Sequence, residues 1–477
     1  MPENAESTVW QARTPLLSQQ SEAVAKLLPT RVGGLFMEMG TGKSRTAIEL
    51  ARLRQAKIDR VTWFCPVSLK ETIRQEILKH TIATDSDINV FDDKTDDGNL
   101  PKCFWHVIGI ESLGSSSRVT LAVNRLIDDR TLVIVDESQF IKGHKAKRTE
   151  RLTLICARAR YRLILTGTPL SQGVVDLYAQ MRFLSPKILG YSSFYSFSAN
   201  HLEYSEKFKG MIVRAHNTEF LAAKIRPYVY QVTKAECLNL PDKLYESRYY
   251  RMTWAQEEAY QEAKEDFLQM DEFHSITIFR LFMALQQITC GFRNIHHENG
   301  SVETLTFPHK RLDTLIDTVE QLPAEKIIIW AKYVRDIDGI ATTLGETYGT
   351  GSVARYYGEL DEKQRAADVL RFRTESRFFV ATQSTGGNGL TLNEAHTAIF
   401  YNNSFSYAHR LQAEDRFHRI GQTEKCLYID IHCAGTIDDR IRKALDSKGN
   451  LVKAFKREVD KVKKSSKQKL IDMVNAL

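Results

Sequence analysis

The chain has 477 residues, 43% of them hydrophobic and 26% charged, with a formal net charge of +7. That length allows two or three domains, and the composition is that of an ordinary globular protein rather than a fibrous, disordered or disulfide-stapled one. No signal-peptide pattern is visible and no uncharged apolar run of about eighteen residues occurs, so a membrane role is not expected. The seven cysteines, at 65, 103, 156, 237, 290, 426 and 433, lack the close pairs of a zinc site and fit a reducing compartment.

In chain order, residues 1–13 read as a polar, poorly ordered start. Gly34-Leu35-Phe36-Met37 then reads as a short buried strand, and Thr46-Ala47-Ile48-Glu49-Leu50-Ala51-Arg52-Leu53 has the apolar spacing of a helix. Between them lies Met37-Glu38-Met39-Gly40-Thr41-Gly42-Lys43-Ser44. Gly40, Thr41 and Gly42 make a turn tight enough to aim successive N–H groups at a phosphate. Lys43 adds a point charge for the β/γ-phosphates of ATP, and Ser44 offers a hydroxyl to Mg²⁺. Where the usual P-loop carries a further glycine, this chain has Met37.

Asp92-Asp93-Lys94-Thr95-Asp96-Asp97-Gly98 has the look of a calcium loop, but counting from Asp93 the bidentate Glu position is occupied by Phe104, so it reads as a solvated loop. Thr131-Leu132-Val133-Ile134-Val135 is the continuous run that fills a central parallel strand, and Asp136-Glu137 stands at its C-terminal end, where open α/β sheets place their ligands. With a P-loop upstream, Asp136 is expected to hold Mg²⁺ through water and Glu137 to orient and deprotonate an attacking water. His296-His297, near Cys290, has no second ligand pair and is not assigned a metal.

Near the other end, Gln412-Ala413-Glu414-Asp415-Arg416-Phe417-His418-Arg419 puts two arginines three residues apart, hence on one face of a helix. If a second domain lies against the first, Arg416 and Arg419 can reach the ATP phosphates, a contribution of roughly 10³ to 10⁵ in rate for NTPases that use arginine fingers. The segment 448–477 carries nine Lys/Arg against three Asp/Glu, a local charge of +6. It reads equally as a phosphate-binding tail, a solvated helix or a brace packed back on the protein.

Together these motifs resemble the Swi/Snf-type branch of helicase superfamily two, in a compact form of the bacterial or bacteriophage kind, over roughly residues 14 to 445. The resemblance assigns Gln20 to adenine recognition. It places nucleic acid against Pro66 and Ser68 in Phe64-Cys65-Pro66-Val67-Ser68-Leu69, Ser112 in Ile110-Glu111-Ser112-Leu113, and Thr166 and Thr168 in Leu165-Thr166-Gly167-Thr168-Pro169-Leu170. In the fifth motif it adds Ser384 and Thr385 for nucleic acid and Gly389 for a phosphate chain; Gln412 joins the nucleotide set. Two departures stand out. Ser138-Gln139 replaces the family's alanine and histidine after the acidic pair, on the link between hydrolysis and nucleic-acid binding, and Phe405-Ser406-Tyr407 replaces Trp-Asn-Pro.

The implied fold is α/β: two tandem RecA-like lobes, parallel sheets flanked by helices, with helical protrusions. The first lobe is expected at 14–235 with a protrusion at 191–226, the second at 236–447 with a protrusion at 253–288, and a basic helical tail at 448–477. The implied activity is hydrolysis of ATP to ADP and phosphate, with Mg²⁺, by a monomeric motor tracking on double-stranded DNA. RNA as the track, and protein partners, stay open. The rival readings are a strand-separating DNA or RNA helicase and a slow nucleotide-switched recruitment scaffold. The implied location is the cytoplasm of a bacterium or phage-infected host, or the nucleus if the source is eukaryotic.

Overall fold

A computed structural model describes residues 11–167, 169, 173–204, 212–238, 240–270, 275–297, 300–386, 390–447, 451, 455, 459 and 467–477. The chain divides into two units, Met1–Leu240 and Pro241–Leu477. Among the described residues no helix is long and apolar enough to cross a membrane.

The strands of the first unit are β1 (Val32–Met37), β2 (Arg60–Cys65), β3 (Ile88–Val90), β4 (Trp105–Gly109), β5 (Thr131–Val135), β6 (Tyr161–Leu165), β7 (Leu202–Tyr204), β8 (Ile212–Ala215) and β9 (Val229–Val232). All but β7 and β8 join one sheet in the order β3-β4-β2-β5-β6-β1-β9, with every neighbouring pair parallel. The period-two alternation of a strand sends Val133 and Val135 to one face with Phe36, Phe64 and Ile164, and Leu132 and Ile134 to the other with Leu35, Trp63 and Leu165. Helices Ser117–Leu126, Lys147–Cys156 and Val175–Leu184 cover the first face, and Ser18–Leu27, Lys43–Leu53 and Lys70–His80 the second. Both faces of the central strands are therefore dry, as continuous rather than alternating apolar runs require.

At the start of the described chain, Ala12 bridges to Thr81 and the Arg13 amide donates to the His80 carbonyl at 3.0 Å. Residues 1–10 lie outside the described residues. Within 191–226 the protrusion has helices Phe194–His201 and Thr218–Ile225 and, between them, the antiparallel pair β7-β8, which helical periodicity does not announce.

The second unit holds β10 (Lys243–Tyr250), β11 (Phe292–His296), β12 (Val302–Thr306), β13 (Ile327–Ala331), β14 (Val353–Tyr356), β15 (Phe378–Thr382), β16 (Thr397–Phe400) and β17 (Cys426–Cys433). Its main sheet is again all parallel, in the order β10-β17-β16-β13-β15-β14, while β11 and β12 form a separate antiparallel pair. The helical reading of 253–288 corresponds to the pair Trp254–Leu268 and Ser275–Thr289, which shares a core with helix Ile437–Asp446. The described end of the basic segment packs into that same core through Val474 and Leu477. There Tyr260 donates its hydroxyl to the Leu477 carbonyl and Lys264 its ammonium to the Asn475 carbonyl, both at 3.0 Å. Of the expected alternatives the described residues show the brace; most of the lysine run between 448 and 466 lies outside them.

One fully buried guanidinium ties these layers together. Arg311 donates to the Tyr250 hydroxyl at 2.7 Å and the Thr289 hydroxyl at 3.1 Å, reaches the Tyr401 carbonyl, and pairs with the buried Asp438. It thereby fixes β10, the helical pair and helix Ile437–Asp446 on one point. Removing one partner of a buried ion pair strands the other charge, at a cost of about 3–5 kcal/mol. Arg311→Met should therefore lower the thermal unfolding midpoint of the second unit by several degrees, followed by circular dichroism, and an unshifted melt would show that the pair is not what holds the layers.

Candidate functional site

The first unit gathers its polar residues at the C-terminal ends of β1, β5 and β6. After β1 the chain turns through Gly40 and Gly42, with φ of +80° and +94°, conformations in which a Cβ is strained. Thr41 is buried and its hydroxyl donates to the Glu38 carbonyl at 2.7 Å. Helix Lys43–Leu53 starts immediately afterwards, so the half-buried Ser44 sits in its first turn and the loop amides stand at a helix N-terminus, the usual setting for an anion. Lys43 donates to the Met37 carbonyl at 3.1 Å, folded back across the loop. Gln20 is buried against the same turn: its Oε1 accepts from the Leu17 amide at 2.9 Å and its Nε2 donates to the Gly42 carbonyl at 3.4 Å. Gln19 adds a contact from Nε2 to the Thr41 carbonyl at 3.3 Å.

Asp136 follows β5 and is 5% exposed. Burial, with the negative charge of Glu137 beside it and Lys43 opposing, pushes its carboxyl up to about 7. The Glu137 amide donates to its Oδ1 at 2.9 Å. Glu137 itself has φ +47°, the left-handed region that side chains other than glycine rarely adopt. This donor set fits Mg²⁺: it is made of oxygens, and a buried carboxylate that resists ionisation invites a cation. Among the described residues no group of three or more His, Cys, Asp or Glu could hold a metal alone.

In the second unit, helix Tyr407–Glu414 ends before Arg416, so Arg416 and Arg419 do not share a helical face as their spacing predicts. The chain turns instead because the Arg416 carbonyl is taken by the Leu392 amide at 2.9 Å. The two arginines nevertheless converge: Nη1 of Arg416 and Nη1 of Arg419 both donate to the Leu390 carbonyl, at 3.3 and 3.1 Å. Nε of Arg416 also donates to the Gln412 carbonyl at 2.9 Å, which brings the backbone of Gln412 to the same place. Ser384 is exposed and Thr385 half-buried on the single turn Gln383–Gly386 after β15, while Gly389 lies outside the described residues. Arg410, by contrast, is neutralised where it stands by Asp430 and by Glu414, the latter at 2.7 Å, and fixes its helix to the sheet.

Of the residues expected on nucleic acid, Pro66 and Ser68 follow β2 and Ser112 follows β4, neighbours in register at Cys65 and Gly109. The Val67 amide donates to Glu111 Oε2 at 3.1 Å, so the two segments form one surface. Pro66 is buried, while Ser68 and Ser112 are half-buried. Thr166 does not join them. It is 0% exposed and its hydroxyl donates inward to Gln139 Oε1 at 2.9 Å, because the residue after β6 is covered on the sheet side. Thr168 lies outside the described residues. The acidic loop is capped by its own backbone: Asp92 Oδ1 accepts from the Lys94 and Thr95 amides at 2.9 Å, and Asp96 Oδ1 from the Gly98 amide at 2.8 Å.

Sequence reasoning passed over three residues here. Gln139 donates from Nε2 to Glu137 Oε2 at 2.7 Å while accepting from Thr166. Ser138 donates to Gln180 Oε1 at 2.6 Å, and Gln180 Nε2 donates to the Pro169 carbonyl at 3.1 Å. The departure at Ser138-Gln139 was the available signal for the first two; Gln180, on helix Val175–Leu184, gave none.

A strand, a glycine turn with a lysine, and the acidic pair Asp136-Glu137 at the end of β5, two strands along the same sheet, define a P-loop nucleotide-site arrangement in an α/β unit, followed by a second unit of the same architecture. Residues 20–293 match the SNF2-related domain and residues 310–421 the helicase conserved C-terminal domain, and the chain belongs to the SNF2-related family. It is 26% identical over 335 residues to a putative ATP-dependent helicase/translocase of Bacillus subtilis, covering 67% of this chain and 35% of that protein. It is 25% identical over 452 residues to a DNA annealing helicase and endonuclease of Mus musculus, covering 92% of this chain and 40% of that one. The chain spans about a third of the length of the bacterial relatives it matches. Among solved structures, the SWI2/SNF2 ATPase core of Sulfolobus solfataricus in complex with dsDNA aligns over 98% of both chains at 22% identity, with a TM-score of 0.43.

A Cβ at Gly42 would lie 1.9 Å from Gln20 Nε2 on a backbone of φ +94°. Gly42→Ala should therefore abolish binding of a fluorescent ATP analogue while the circular dichroism of the fold persists; retained affinity would show that the turn is not the phosphate cradle. The raised Asp136 carboxyl sets a pH dependence. A carboxyl whose folded value is above its unfolded one keeps its proton up to about 7, and a cation must displace that proton. Affinity for Mg²⁺ with nucleotide should fall as pH drops from about 7 toward 5, with proton uptake on dissociation in titration calorimetry. A flat profile would mean that Asp136 is not near the metal.

Proposed function

We propose that this chain is an ATP-driven motor that hydrolyses ATP to ADP and phosphate while tracking on double-stranded DNA. The observation that carries the reading is the Asp136-Glu137 pair that ends β5, with Asp136 buried, beside the Gly40–Lys43 turn. Gly40, Thr41, Gly42 and Lys43 receive the phosphates, and Gln20, packed on the turn, is assigned to the adenine. Ser44 and Asp136 hold Mg²⁺, which when bound would neutralise phosphate charge. Glu137 takes the proton of the attacking water.

Arg416 and Arg419 supply positive charge to the transferred phosphoryl group, and Gln412 and Gly389 complete the nucleotide set. Pro66, Ser68 and Ser112, with Ser384 and Thr385, contact the sugar-phosphate backbone, a positioning rather than sequence-reading contact. Thr166 is left out of that surface because its hydroxyl is turned inward. The names of the Bacillus subtilis and Mus musculus relatives support an ATP-dependent motor on DNA.

The test is steady-state hydrolysis with no nucleic acid, duplex DNA, single-stranded DNA or RNA at matched salt, followed by triplex displacement and strand-separation assays. Duplex-stimulated hydrolysis with triplex displacement and no strand separation is expected. Glu137→Gln should bind ATP and lose turnover by at least about 10³, and Arg416→Ala should fall by roughly 10³ or more at little cost in ATP affinity. Strand separation, or stimulation by RNA alone, would replace the proposed track. Normal turnover in Glu137→Gln would remove the assigned base.

A further inference from the structure

We infer that Gln383 is a positioning residue that holds the Ser384-Thr385 turn where a nucleic-acid backbone meets it, and that Asn402 and Asp336 hold the anchor that Gln383 grips. This rests on the proposed nucleic-acid contact and names what fixes it. Gln383–Gly386 is a single helical turn after β15, with Ser384 exposed and Thr385 half-buried. One isolated turn is unstable in water, because ordering its backbone costs more than the hydrogen bond it closes returns. Tertiary contacts must therefore hold it. At its far end, a Cβ at Gly386 would stand 2.7 Å from Cζ3 of the fully buried Trp330 and 3.1 Å from the Ala381 Cβ, so the backbone is packed against a ring. At its near end, Gln383 is 2% exposed. Its Nε2 donates to the Asn402 carbonyl at 2.9 Å and its Oε1 accepts from the Ser404 amide at 3.0 Å.

β15 and β16 flank β13 in the sheet, so this side chain ties the exits of two strands together across a third. The segment it grips is firmly anchored. Asn402 is buried, and the orientation of its amide is fixed, because the Lys332 backbone N–H can only donate and meets Oδ1 at 2.6 Å. Nδ2 therefore faces the buried Asp336 carboxyl and the Cys290 sulfur, the latter at 3.1 Å. Gln286 Nε2 donates to the Asn403 carbonyl at 2.9 Å, and Asn403 Nδ2 donates to Asp430 Oδ1 at 2.7 Å. The side chains of Gln383, Asn402 and Asp336 are all buried, so they act on the nucleic acid through the turn rather than by touching it. Binding groups work when their supports hold them to within about 0.5 Å. Removing the Gln383 amide leaves the turn held at one end and orphans a buried carbonyl and N–H.

The experiment measures binding of a fluorescent DNA duplex by anisotropy, with ATP KM and the hydrolysis rate without DNA, in wild type, Gln383→Met, Asn402→Asp, the Asp336→Asn/Asn402→Asp double variant and Ser384→Ala/Thr385→Val. Gln383→Met should weaken duplex binding about fivefold or more, with ATP KM and the rate without DNA changed less than about twofold. A change in all three would mark a merely structural residue and overturn the assignment. Asn402→Asp sets two carboxylates against each other and should weaken binding similarly. Adding Asp336→Asn exchanges donor and acceptor and should restore affinity to within about twofold of wild type. If Asn402→Asp does not fold, Gln383→Met, which buries no charge, decides alone. Wild-type affinity in Gln383→Met, or a double variant no tighter than Asn402→Asp, would overturn the positioning role while leaving the track in place. Wild-type affinity in Ser384→Ala/Thr385→Val, or a wild type that binds no duplex, would overturn the proposed contact itself and the positioning role with it.

Discussion

The structure of the first unit answers to one constraint, a carboxylate carried into a nearly dry place. β5 is buried along its whole length, so the chain emerging from it has no route to solvent until after Asp136. Water cannot stabilise that charge there, and what surrounds it must. The Glu137 amide donates to Oδ1, Lys43 approaches from the helix that follows β1, and the carboxyl still resists ionisation. Glu137, next in the chain, takes a positive φ. A site left short of positive charge in this way has chemical use only when a cation or a phosphate-bound cation arrives.

The second unit treats the opposite sign differently. Arg311 and Arg410 are buried, and each is matched by carboxylates: Asp438 on another helix for the first, Glu414 one turn along the same helix and Asp430 on β17 for the second. Their charge is neutralised locally, and their effect is to lock layers together. Arg416 and Arg419 converge on the Leu390 carbonyl, which both guanidinium groups share.

Much of this was legible from the residues. The continuous run 131–135, the glycine turn before Lys43 and the apolar spacing of 46–53 each specify one local structure, and the motif order specifies two units. Less legible was anything set by tertiary closure. The helical spacing of Arg416 and Arg419 was overridden when the Leu392 amide captured a carbonyl of the expected helix, yet both guanidinium groups still converge on the Leu390 carbonyl. Thr166 has the residue type of a backbone-contacting hydroxyl, and only the covering of the β6 end shows that it faces inward. The β7-β8 pair sits between two short helices in a stretch whose composition does not distinguish strand from helix. Gln180 reaches the site from 42 positions beyond Ser138, a distance at which no spacing rule operates.

The departure at Ser138-Gln139 shows why a mismatch to a family pattern is a poor measure of lost chemistry. What the position needs is a group that can give one hydrogen bond and take another at the same time. A neutral imidazole does so, in the tautomer its neighbours select; a primary amide does so as well, with its donor and acceptor fixed on opposite sides of one carbon. Here the nitrogen meets Glu137 and the oxygen meets Thr166, so the path between acid and hydroxyl is continuous although the residue identity is not. An amide also carries no charge at any ordinary pH, so its hold on Glu137 does not depend on protonation as that of a histidine would. The serine beside it uses a smaller side chain to recruit Gln180, whose amide spans the gap to the Pro169 carbonyl. Ser138 and Gln139 together connect the acidic pair to Thr166 and, through Gln180, to the Pro169 carbonyl.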